Sequence, residues 1–187
     1  VLQPLVVRPV ARSGLLLGRF VGAGVICAAY VLLLYLGCVA VVGAIGGWWP
    51  DPFLAPVLHL VVAVVIVVAL SLLGSVFLPA LPNGILMFMA YGAGLLAGLL
   101  GQLGEAISSP ALETIGRVAS WALPYEALYQ AGLDSLTSQA TGLTRVIVQL
   151  GPLGGAESGG PELLLWAVVY LAVAVAAALA GFARRDL

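Results

Sequence analysis

The stretch APVLHLVVAVVIVVALSLLGSVF, residues 55–77, decides the fold. It holds no charged side chain. A hydrocarbon core about 30 Å thick needs roughly 20 consecutive apolar residues in a helix. In lipid the backbone finds no water, so such a stretch must bond to itself and become helical. Working outward, the chain is also uncharged over residues 20–50, on to Gly104 after Pro52, and over 163–183. These runs predict three more spans, at about Phe20–Ile45, Ile85–Leu103 and Leu163–Phe182. Prolines lack an amide donor and stop a helix; the Pro79–Gly84 cluster therefore predicts a turn between the second and third spans. The expected fold is an all-α polytopic membrane helix bundle.

Composition says the same. The 187 residues are 63% hydrophobic and 8% charged, where a soluble domain carries about 45–50% apolar and about 25% charged residues. The mean hydropathy is +1.18. A body of this size cannot hide so much apolar surface from water. A soluble enzyme, a nucleic-acid-binding module and a disordered chain are excluded. The chain has no lysine; its seven cations are all arginine. A P-loop, whose lysine holds nucleotide phosphates, is therefore absent.

Orientation follows from the arginines. Arg8, Arg12 and Arg19 precede the first span, and Arg184 and Arg185 follow the last. Four spans place both ends on one side, which predicts that residues 1–19 and the C-terminal end are cytoplasmic. Trp48 and Trp49 then suit the opposite interface, beside residues 105–162. Val1 is no start methionine and no cleavable leader is evident, so a longer membrane protein is expected, of which this is the C-terminal part.

No Asp, Glu, Lys or Arg falls inside the four spans. Ion-coupled carriers and proton pumps usually need such groups at membrane depth. His59 is alone, and reads as interfacial rather than as a metal ligand. Cys27 and Cys38, on one helix, cannot bridge. No G-x-S-x-G or H-E-x-x-H pattern occurs, so no catalytic residue and no metal site is expected. Ala90, Gly94 and Gly98 share a face at four-residue spacing. Such a small-residue face permits close helix approach, within the chain or between subunits.

Residues 105–162 read as an extracytoplasmic segment with short amphipathic helices. Leu143, Val146, Ile147 and Leu150 follow i, i+3, i+4, i+7 spacing, and Leu112, Ile115 and Val118 mark another short helix. Trp121, Tyr125 and Tyr129 add aromatics around Pro124. These faces are expected to lie on the membrane surface or to cap the bundle mouth.

The run Arg8-Pro9-Val10-Ala11-Arg12-Ser13-Gly14-Leu15-Leu16-Leu17-Gly18-Arg19 opens as a helix does, with proline near its start. It serves either as a basic anchor or as a short docking helix for a soluble partner. Followed directly by a long span, it resembles the first cytoplasmic loop of permease subunits of the ATP-binding-cassette type-2 transporter family. The tail from Ala180 to Leu187 is similar to that family's C-terminal ending, and Ala122–Tyr129 to its outer segment before the final helix. The resemblance covers essentially the whole chain. It implies six spans per subunit, of which these four would be the third to sixth. It implies a second permease copy, identical or not, and a cytoplasmic ATPase partner that carries the ATP and magnesium. By the same resemblance Arg8, Pro9, Arg12 and Arg19 would couple to that ATPase, with the Pro79–Gly84 turn as a shorter second contact. The implied function is ATP-driven transport, as a rule export, across the cell membrane. The alternative is a non-transporting membrane anchor or scaffold that recruits a cytoplasmic protein through the same basic lip.

Overall fold

The computed structural model describes residues 12–47, 49–50, 53–137 and 159–184. Arg8, Pro9, Trp48, Arg185 and the predicted amphipathic helix around Leu143–Leu150 lie outside the described residues. The described chain is all-α. Its helices are α1 (Arg12–Gly46), α2 (Leu54–Phe77), α3 (Ala80–Ala106), α4 (Pro110–Ala122), α5 (Pro124–Thr137) and α6 (Pro161–Ala183). α1, α2, α3 and α6 are each long and apolar enough to cross a membrane. Their outward faces are greasy: Val25, Ile26, Leu33, Phe88 and Val173 are all exposed, Phe88 by 80%. In water that surface would aggregate; in hydrocarbon it is the correct exterior. The protein is a multi-pass membrane protein.

The helix boundaries follow local chemistry. α1 is one unbroken helix of 35 residues, in which Arg12–Arg19 is continuous with the span. No proline interrupts residues 12–46, and nothing crowds Gly14, Gly18 or Gly22. At 1.5 Å per residue it is about 52 Å long, roughly 20 Å more than the hydrocarbon needs. It ends at Gly47, whose φ of +65° is a left-handed terminator. α2 ends where Leu78 turns extended ahead of Pro79, the conformation that a following proline favours. The Pro79–Gly84 cluster is not a six-residue turn. α3 already begins at Ala80. Pro82 falls in its first turn, where amides have no helical partner and the missing donor costs nothing.

The four long helices alternate in direction. Leu16, Val76 and Ala178 form one buried cluster, so the start of α1 and the ends of α2 and α6 share one end of the bundle. Arg12, Arg19 and Arg184 belong to that basic end. α2 is the central helix, packed against α1, α3, α5 and α6. A second cluster, of Ala63, Ile66, Tyr125, Leu128 and Ala167, joins α2 and α6 to α5.

α4 and α5 form a hairpin that enters the bundle rather than lying across its mouth. Ser108, at φ 53°, reverses the chain after α3. α4 then runs back along α3, with Leu112 against Gly104 and Gly116 against Gly101. The chain turns at Leu123, which leaves helical geometry (φ −128°, ψ 70°) ahead of Pro124. Tyr125 there packs on Gly94. Gly104 to Gly94 is about 15 Å along α3, so the tip reaches roughly half-way through the bilayer. α5 climbs back between α2 and α6, with Gly132 beside Pro56 and His59, and Ala131 beside Gly159. The physical reason lies in α4. Its apolar residues Ile115, Val118 and Trp121 point outward and are exposed, while its glycine and Glu113 side meets α3. A helix turned this way needs lipid, not water, around it.

Candidate functional site

Two places in the bundle hold polar chemistry. The first lies at the basic end. The backbone of Arg12 opens α1, and Arg19 stands seven residues on, two turns deeper. Arg19 lines a groove of about 350 Å³ between α1 and α2, with Phe20, Ala23, Cys27, Val68, Ser71, Leu72 and Ser75. The hydroxyl of Ser75 donates to the Leu72 carbonyl at 2.7 Å, the local bond that helical serines usually make. Beside the groove, Asn83 ties the two turns together: its Nδ2 donates to the Ser71 carbonyl at 2.9 Å across the α2–α3 connection. Its Oδ1 is buried without a hydrogen bond, against Gly74.

The second place is the seam between α3 and the hairpin. Gly94 and Gly98 face α5 of the same chain: Tyr125 covers Gly94, and Glu126 with Gln130 covers Gly98. The carbonyl of Ala90 accepts a 2.6 Å hydrogen bond from the Tyr125 hydroxyl. Tyr91 stacks on the Tyr125 ring at 5.9 Å. Ala90, Gly94 and Gly98 thus make one intramolecular contact. Next to it a cavity of about 150 Å³ is lined by Gly98, Gly101, Gly116, Glu113, Arg117, Glu126 and Gln130.

Glu126 is buried and accepts a hydrogen bond from Gln130 Nε2. An inventory of acids along the spans misses it, because it enters the bundle on α5. The signal was present in the spacing: Tyr125, Glu126, Tyr129 and Gln130 follow i, i+1, i+4, i+5 and share a helix face. Nothing in that spacing says that the face turns toward glycines some thirty residues earlier in the chain.

The remaining polar side chains are placed singly. His59 is buried between α2 and α5; its Nδ1–H donates to the Ala55 carbonyl at 2.7 Å, leaving Nε2 without a partner. Cys27 and Cys38 are free thiols. Among the described residues no three His, Cys, Asp or Glu side chains converge. The Trp166 indole donates to the Trp121 carbonyl at 3.1 Å, which pins α6 to the end of α4.

Compared with known proteins, the chain matches no family model, no curated protein and no solved structure.

Proposed function

We propose that this chain is the membrane-spanning permease subunit of an ATP-driven transporter of the ATP-binding-cassette type-2 kind. In this proposal it works as an exporter in the cell membrane with both described bundle ends of the arginine-bearing side cytoplasmic. The observation that carries the proposal is the unbroken α1. It starts at the arginine-bearing end, where Leu16 meets the last turns of α2 and α6, and continues unbroken through the bilayer against central α2. A continuous helix of that kind transmits force. An ATPase closing on its cytoplasmic end would tilt α1 against α2 and bias one of two bundle packings, which is alternating access driven from outside. Arg8, Pro9 and Arg12 would make the outer part of the contact and Arg19 its innermost member. ATP and magnesium would sit on the partner, and a second permease copy would complete the path.

The test is capture of the ATPase. The full-length protein is purified from native membranes with its bound cytoplasmic subunit, as wild type and as the Arg8→Glu, Arg12→Glu double variant. Reversing two charges at such a contact is expected to lower capture at least tenfold, with membrane insertion unchanged. Undiminished capture together with undiminished transport removes the docking role. Capture of a cytoplasmic protein with no ATP-dependent transport would leave the scaffold in its place.

A further inference from the structure

We propose that the groove between α1 and α2 at the basic end holds one anionic phospholipid, with its phosphate on Arg19. The proposal is independent of the transport reading. Its first support is charge. Arg19 is exposed at the groove, and among the described residues no carboxylate lines it. The guanidinium carries donors arranged for phosphate oxygens. Ser71 and Ser75 line the opposite wall, where the Ser75 hydroxyl already donates to the Leu72 carbonyl. The second support is the rest of the lining. Phe20, Ala23, Cys27, Val68 and Leu72 are apolar. A free phosphate ion has no use for those walls, whereas a glycerol backbone and its first methylenes do. From Arg19 to Cys27 the groove extends eight residues along α1, about 12 Å.

Depth agrees with this assignment. Ser75 lies two residues from the end of α2, which is the level of a headgroup for a helix that just spans the membrane. Basic pockets between transmembrane helices are known hosts for anionic headgroups. A zwitterionic lipid fits less well, because its ammonium would find no acid among the lining residues. The walls meet a lipid's length and apolarity, and Arg19 selects its sign.

The full protein is reconstituted in phosphatidylcholine containing a minor share of phosphatidylglycerol. It is then re-extracted, and its retained lipids are quantified by mass spectrometry. The wild type is expected to retain phosphatidylglycerol at about five times its bulk share, the effect of one basic contact near the surface. Arg19→Gln is expected to return to the bulk ratio, and Arg19→Lys to keep most of the enrichment. Arg184→Gln, at the same bundle end but outside the groove, is expected to change nothing. Cys27→Trp, which fills the groove and leaves Arg19 in place, is expected to lose the retained lipid. Should Arg19→Gln fail to insert, Cys27→Trp decides alone. Enrichment that survives in Arg19→Gln or in Cys27→Trp overturns the proposal. An equal loss in Arg184→Gln overturns it as well, since the attraction would then belong to the basic end at large.

Discussion

Gly74 is a position where one methyl group is felt. The Asn83 amide occupies the space a Cβ would take there, and the same amide donates to the Ser71 carbonyl. Gly74→Ala must push the amide aside and strand a buried donor, a loss of about 1–3 kcal/mol. Thermal unfolding in detergent would register it as a clear drop in Tm. Gly84→Ala is the control, since nothing lies within reach of its added methyl and alanine is the better helix former; its Tm is expected to hold or rise. Asn83 was visible in sequence only as part of a proline-bounded turn. Its partner, twelve residues away, was not.

Among the elements, the hairpin departs furthest from sequence expectation. One short helix is legible from Leu112, Ile115 and Val118; the aromatics around Pro124 do not by themselves announce α5. The burial of the hairpin is not legible from either. Periodicity reports that a helix has an apolar face; it does not report whether lipid or protein meets that face. In α4 that face is left exposed, and the packed side is the one with Gly116. A Cβ on Gly116 would stand 2.6 Å from the Gly101 Cα, closer than any contact allows. Gly116→Leu is therefore expected to lift α4 from α3 at an overpacking cost of about 1–3 kcal/mol or more. The separation should appear as loss of the near-ultraviolet circular dichroism of the Trp121–Trp166 pair, whose rings now lie 5.2 Å apart. Thr114→Leu, on the exposed face, is expected to leave that signal intact. If Gly116→Leu keeps the signal and the Tm of the wild type, the close approach of α3 and α4 is not what holds the hairpin.

For the whole molecule, the even number of long helices fixes a relation between distant arginines. Leu16 and Ala178 share a core cluster, so the backbone of Arg12 and the Arg184 side chain lie at one end of the bundle. In a background with Cys27 and Cys38 replaced by alanine, single cysteines at positions 12 and 184 are expected to react with an impermeant thiol reagent from the same face of sealed vesicles. Labelling from opposite faces would break the four-span arrangement. The arginine asymmetry supports the orientation given in the proposed function. Deeper in, the four spans carry no charge, but the bundle they form does, because α5 brings the buried Glu126 among them.

The chain's own residues determined that it is helical, that four of its described helices are long and apolar enough to cross a membrane, and which end carries the arginines. They could do so because lipid offers the backbone no hydrogen bonds, which leaves an uncharged run of twenty residues a single solution. Only the tertiary structure decided that α1 runs without a break, that the hairpin returns to mid-depth, that Ala90, Gly94 and Gly98 serve an internal seam, and that Arg19 overlooks a groove. Each of these depends on which faces meet. In a chain where nearly every face is apolar, hydrophobic pattern cannot choose among partners; close approach at glycines and a few hydrogen bonds between distant residues make the choice.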